Sequence, residues 1–169
     1  MRIFAIFFLS LACVTAAFSQ TSLKIGEKAP AFSAYSLDGT SFDLNELRGS
    51  VVVLTFWSTK CAICHSEFPK LNRVIKGFEG KKVVFLSLTM EKDEKVEAYL
   101  KTTRLDSQIL TDSFGILLQY ADRDKEGNLD MGFPSYVVIN DMGFIEYRSS
   151  GYDKTDSLNT AITHLISKL

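Results

Sequence analysis

Three short stretches of the chain are apolar and β-branched almost throughout: Val51–Phe56 (VVVLTF), Val83–Leu88 (VVFLSL) and residues 136–139 (YVVI). Such runs predict strands covered on both faces, because an exposed face would show polar residues at alternate positions. Between the first two, the apolar period changes. Cys64, Phe68, Leu71, Ile75 and Phe78 recur at gaps of four, three, four and three, which is one face of a helix. Strand, helix and strand at this spacing predict a βαβ unit with parallel strands and a right-handed crossover. Further helices are expected over 91–104, with Val96, Tyr99 and Leu100 inward, and over Phe114–Tyr120. A last helix is expected over 155–169, with Leu158, Ile162, Leu165, Ile166 and Leu169 on one face. Asp38-Gly39 and Asp141-Met142-Gly143 each lie between strand-like segments and read as hairpin turns. The core thus opens with a βαβ unit and closes with a ββα unit, and an extra N-terminal hairpin covers 32–44. The fold class is α/β, with a central mixed sheet flanked by helices.

The N-terminus follows a different pattern. Met1-Arg2 is a short positive start, residues 3–12 are apolar except for Ser10, and Ala17-Phe18-Ser19 supplies small residues before a cleavage point. This predicts a secretory leader over 1–19, leaving 20–169 as a single domain. A membrane span needs about 20 apolar residues, and polar Gln20, Thr21 and Ser22 arrive too early for one. Lipid attachment at Cys13 is the rival reading, but Ser10 stands where leucine is expected. The composition, 46% hydrophobic and 23% charged, excludes wholesale disorder. The formal charge of -1 becomes -2 once Arg2 is gone, so there is no electrostatic footprint for nucleic acid.

Removing the leader changes the cysteine arithmetic. Of three cysteines only Cys61 and Cys64 remain, as C-A-I-C. One close pair is not a disulfide scaffold, and its loop is too short to stabilise much. The pair sits where a buried strand gives way to a helix. Cys61 falls at the helix N-terminus, where unpaired N–H groups and the macrodipole favour a thiolate, below the free value of about 8.5. Lys60 adds a positive charge. Cys64 lies one turn on, within the apolar stripe, so it is expected to be less accessible. The asymmetry suits one sulfur that attacks and a second that resolves a mixed disulfide. Glu67 follows Cys64 by three and shares its helix face, where a carboxylate could handle the Cys64 proton. The plain alternative is a solvated glutamate. Trp57, four residues before the motif, is either core or a substrate contact.

The segment F-W-S-T-K-C-A-I-C-H-S-E-F-P resembles the active-site segment of thioredoxin-fold thiol–disulfide oxidoreductases, in particular the TlpA/ResA-like group of the bacterial cell envelope. Phe56-Trp57, the C-x-x-C, Glu67 and Pro69 match, and G-F-P-S-Y-V-V-I-N matches the segment where the group carries a cis-proline, here Pro134. Residues 25–49 resemble the group's N-terminal hairpin, so the likeness covers 23–169. It implies a redox-active Cys61–Cys64 disulfide and catalytic roles for Cys61, Cys64 and Glu67. It also implies substrate contacts around Trp57, Phe133 and Pro134. The implied partners are protein disulfide or dithiol clients and an upstream redox donor or acceptor, in the periplasm or cell envelope. No cofactor is implied, and the group favours the reductase direction. Four positions depart from the pattern. The middle pair is Ala62-Ile63 where proline is common, His65 replaces the usual Arg or Lys, and Thr55, which cannot serve as a base, stands where thioredoxin itself has Asp and the group often has Asn. Residues 121–131 form a charged insertion, net -2, expected to be a loop; it either selects protein clients and disfavours acidic ones, or is a solvated connection with no role.

Three other chemistries share parts of the pattern. C-A-I-C-H matches the attachment signature of c-type haem, with His65 as axial ligand, but it follows a buried strand. A peroxiredoxin needs proline seven residues before its reactive cysteine, and Leu54 stands there. As a metal carrier, two thiolates would leave a tetrahedral zinc site half filled, so no metal is expected.

Overall fold

The structure, a computed structural model, describes residues 23–169; the expected leader over 1–19, with Cys13, lies outside the described residues. The described chain opens on a hairpin of β1 (Ser33–Tyr35) and β2 (Ser41–Asp43). Its turn takes Gly39 at φ +84, a conformation glycine enters without steric cost. Then come β3 (Val51–Phe56), α1 (Ala62–Gly77) and β4 (Val83–Leu88), the expected βαβ unit. The chain continues through α2 (Asp93–Leu100), β5 (Gln108–Leu110), α3 (Phe114–Tyr120), β6 (Asp122–Arg123) and β7 (Leu129–Asp130). It closes with β8 (Ser135–Ile139), β9 (Ile145–Ser150) and α4 (Thr155–Ile166).

The main sheet runs β5-β4-β3-β8-β9, with β3, β4 and β5 parallel and β8 and β9 antiparallel to their neighbours. β3 is buried at every position because helices cover both of its faces. Val52, Leu54 and Phe56 point to one side, toward Leu117 and Tyr120 of α3 and Phe32 of the lead-in. Val51 and Val53 point to the other, toward Phe68 and Leu71 of α1 and Leu158 and Ile162 of α4. This is a thioredoxin-like arrangement with an added N-terminal hairpin.

Three expectations change. α2 covers only Asp93–Leu100 rather than 91–104, because the Glu91 side chain is taken up by Ser58, Thr59 and Thr89 and the chain turns at Lys101-Thr102. α4 ends at Ile166, which leaves Leu169 51% exposed rather than on the buried face. The 121–131 stretch is not a plain loop. It folds as the small β6–β7 hairpin, closed by Asp124, whose carboxylate accepts the main-chain N–H groups of Glu126 and Asn128.

Candidate active site

Register places the site. Phe56, the last residue of β3, pairs with Leu88 on one side and Ser135 on the other. The segment from Trp57 to Cys61, the residues after β4, and Phe133-Pro134 before β8 therefore gather at one end of the sheet. Cys61 is the N-cap of α1, in an extended conformation, and its Sγ accepts the N–H of Cys64 at 3.0 Å. The two cysteines form a disulfide across a Cα–Cα distance of 5.2 Å. Cys61 is half-buried, whereas Cys64 is 0% exposed and lies in the apolar layer with Trp57 and Phe68.

Glu67 is fully buried, so it is not a solvated helix glutamate. Its Oε2 accepts the main-chain N–H of Asp153 at 3.2 Å, and its Oε1 faces Lys70 Nζ at 3.2 Å. The same ammonium reaches Asp153 Oδ1 at 2.9 Å. Asp153 and then Glu67 hold the Lys70 ammonium above the usual lysine range, and Lys70 in turn holds the Asp153 carboxyl low. Tyr136 of β8 is also buried, and its hydroxyl has no hydrogen-bond partner. Burial first, then the charge of Glu67, pushes its ionisation well above the ordinary range.

Trp57, one of the expected substrate contacts, is 0% exposed. Its ring packs edge-on against Phe68 at 5.3 Å and tilted against Tyr99 at 5.5 Å. The alternation of β3 continues one step past the strand, so Trp57 points toward α1 like Val51 and Val53. Its side chain lies in the buried layer that also holds Cys64. Phe133 is half-buried against both apolar layers, and the Phe133-Pro134 peptide bond is cis. The Pro134 carbonyl accepts the N–H of Gly151 at 2.8 Å. His65 is exposed, with Nδ1 within 3.1 Å of the Tyr99 hydroxyl and 3.3 Å of the Thr103 hydroxyl. Thr55 is buried within β3. Among the described residues, no group of three His, Cys, Asp or Glu side chains is placed to hold a metal ion.

One residue at this end of the sheet escaped sequence reasoning. The Glu91 carboxylate accepts from the Thr59 N–H at 2.8 Å, the Thr59 hydroxyl at 2.6 Å, the Ser58 hydroxyl at 3.2 Å and the Thr89 hydroxyl at 2.9 Å. Lys95 Nζ completes the set at 2.6 Å. Burial pushes its carboxyl up, but the bonds from Lys95, Thr59 and Thr89 outweigh that and hold it down at about 2. No local pattern pairs residue 91 with residue 59; only the sheet does.

The inserted hairpin is anchored at its base. Arg148 of β9 bonds the Asp122 carboxylate at 2.9 Å, the Tyr120 carbonyl at 2.8 Å and the Leu23 carbonyl. The rest of it, 123–130, is exposed.

Comparison with known proteins matches this geometry. The redoxin family model matches residues 24–163. The thioredoxin-like protein YneN of Bacillus subtilis is 32% identical over 130 residues, which cover 75% of this chain and 72% of the relative. The thiol:disulfide interchange protein DsbE of Yersinia pestis is 32% identical over 136 residues, covering 77% of this chain and 66% of the relative. The chain spans 58% of the ResA thiol-disulfide oxidoreductase of Bacillus thuringiensis, at 29% identity. Among solved structures, a candidate protein disulfide isomerase of Bacteroides thetaiotaomicron superposes with a TM-score of 0.74 at 27% identity, over 86% of this chain and 91% of that one.

Proposed function

Because the chain belongs to the redoxin family, we propose that its Cys61–Cys64 pair exchanges disulfides with client proteins of the cell envelope and works there as a reductase. One observation carries this: the half-exposed sulfur caps the helix that the buried sulfur belongs to. In the reduced protein, helix N–H groups stabilise the Cys61 thiolate. That thiolate attacks one sulfur of a client disulfide. A Cys61–client bond forms, the client S–S bond breaks, and the second client sulfur leaves as a thiolate. Glu67 accepts the Cys64 proton, and the Cys64 thiolate attacks the Cys61 sulfur. The intramolecular disulfide closes and the first client sulfur is expelled. Two electrons have passed to the client, and an envelope dithiol donor supplies two more to the Cys61–Cys64 disulfide, becoming a disulfide itself.

Phe133 and Pro134 precede β8 at the sheet end where the cysteines lie, and would offer main chain and apolar surface to the client. The β6–β7 hairpin runs directly into them and is suited to select among clients. The leader pattern over 1–19 supports export. Among the described residues, no helix is long and apolar enough to cross a membrane.

Reduction of insulin with dithiothreitol as the electron source tests the reading. The wild-type protein should accelerate it and Cys61→Ser should abolish the acceleration. Cys64→Ser, lacking the resolving thiol, should accumulate a Cys61–insulin adduct on a non-reducing gel. Full activity in Cys61→Ser, or none in the wild type, overturns the proposal.

A further inference from the structure

We propose that Glu91, paired with Lys95, is a positioning residue for Cys61: it fixes the loop that presents the attacking sulfur, and its charge restrains how strongly that sulfur ionises. This rests on the reading of Cys61 as the attacking sulfur. Between β3 and Cys61 lie only Trp57, Ser58, Thr59 and Lys60. Trp57 is held by the core, and the next two residues are held by one carboxylate.

The connection from Glu91 to Cys61 is short. The Ser58 hydroxyl donates to Glu91 and accepts the N–H of Lys60 at 3.2 Å, and the Ser58 carbonyl accepts the N–H of Cys61 at 3.0 Å. Glu91 also takes the Thr89 hydroxyl beyond β4 and the Lys95 ammonium on α2, so it ties three segments at the sheet end. A neutral side chain could hold the loop as well. The carboxylate adds a negative charge to the loop that carries a sulfur that must become an anion, and Lys95 offsets it.

The charge of Glu91 is felt beyond its own bonds. Burial raises the ionisation of the Tyr99 hydroxyl, the bond from Thr103 lowers it, and the Glu91 charge raises it further. The other titratable groups on these elements are Lys60 in the loop, His65, Glu67, Lys70, Arg73 and Lys76 on α1, Lys92 at the N-cap of α2, and Asp93, Glu94 and Glu97 on α2. Tyr136 faces the site from β8. Among the described residues, none of their side chains bonds Ser58 or Thr59, so Glu91 and Lys95 form the pair whose charges can be changed separately beside the loop.

Two variants move that charge in opposite directions. Glu91→Gln keeps an oxygen acceptor for Thr59 and leaves the Lys95 cation uncompensated, which favours the Cys61 thiolate. Lys95→Met leaves the carboxylate uncompensated, which disfavours it. The pH midpoint of Cys61 alkylation in the reduced protein should fall by about half a unit in the first and rise by about half a unit in the second. A stabilised thiolate makes the disulfide easier to reduce. The equilibrium constant for reduction of Cys61–Cys64 by glutathione should therefore rise about threefold in Glu91→Gln and fall about threefold in Lys95→Met. A purely structural anchor would move both variants the same way. Shifts of one sign, or no shift in variants that melt like the wild type, overturn the proposal. Alkylation of Cys64 ahead of Cys61 in the wild-type protein also overturns it, and is distinguishable because it removes the attacking-sulfur reading before any variant is compared.

Discussion

The main-chain N–H of Asp153 donates to Glu67 Oε2 at 3.2 Å, joining residues 86 positions apart in the chain. Lys70 closes the arrangement by reaching both carboxylates. A carboxylate with no exposed surface is tolerable only with such partners, because an unpaired buried charge costs more than the pair returns. Lys70→Met should therefore lower the thermal midpoint of the oxidised protein by more than Lys70→Met combined with Glu67→Gln does. Melting of the two single variants and the double variant measures this coupling. Additive losses would mean that Lys70 does not compensate Glu67.

The same carboxylate should govern Cys64. Both side chains are fully buried and lie on one face of α1. A negative charge beside a thiol disfavours the thiolate, so Glu67→Gln should move the onset of Cys64 alkylation to lower pH. The measurement is best made in a Cys61→Ser background, where only one thiol reacts. Resolution of a Cys61–client adduct should slow in Glu67→Gln at neutral pH, because the proton acceptor is lost. An unchanged profile with an unchanged resolution rate would leave Glu67 a structural residue.

Glu91 carries a consequence for acid stability. Its carboxyl is held at about 2, below its ordinary value of 4.5, so the folded state favours the ionised form. A depressed carboxyl contributes stability that is complete above its unfolded value and is lost as pH falls through the folded one. The loss from this group should fall between about pH 4.5 and about pH 2. Denaturant unfolding across that window should be steeper for the wild type than for Glu91→Gln. Equal slopes would show that the carboxylate's bonds are offset by its burial.

How far the fold was legible follows from where the constraint lies. β3 and β4 were read to the residue because both faces are covered, and covered strands are apolar without alternation. α1 was legible because its buried stripe is longer than three turns. β5 was not, since three residues of which one is exposed carry no period. The cysteine pair announced itself, being two neighbouring residues at a strand–helix junction. The partners of Glu67 did not, because Lys70 is local but Asp153 arrives only through the loop before α4. Trp57 was open to two readings in sequence, and the burial that decides between them comes from Phe68 and Tyr99, 11 and 42 residues away in the chain.

Tyr136 offers a test in the stabilising direction. Its hydroxyl is buried with no partner, an arrangement that forfeits the hydrogen bonds it would make in water. Tyr136→Phe removes the oxygen and keeps the ring packed in the same layer as Cys64 and Phe68. The melting midpoint should stay the same or rise. A clear fall would mean that the hydroxyl is paired in solution, with Glu67 as the natural candidate given the influence of its charge on Tyr136.

The β6–β7 hairpin is the feature whose role is hardest to obtain from chemistry alone, and its construction makes a clean experiment possible. Asp122 at its base is fixed by Arg148, which also holds the end of α3 and the lead-in at Leu23. The tip depends on Asp124 and on Gly127 at φ +85, and its side chains face solvent. Deleting 123–128 joins Asp122 to Leu129, leaving the Arg148 anchor, the disulfide and Pro134 in place. Reduction of dithionitrobenzoate, which needs only an accessible Cys61 thiolate, should stay near the wild-type rate. Reduction of a protein client should fall by more than about tenfold, roughly 1.4 kcal/mol of transition-state binding, because the lost surface is one that only a large substrate can touch. The hairpin carries Asp122, Asp124, Glu126 and Asp130 against Arg123 and Lys125, so the loss should be greatest for basic clients. Equal losses on both substrates would point to a disturbed fold, and unchanged rates on both would make the hairpin a connection without a role in exchange.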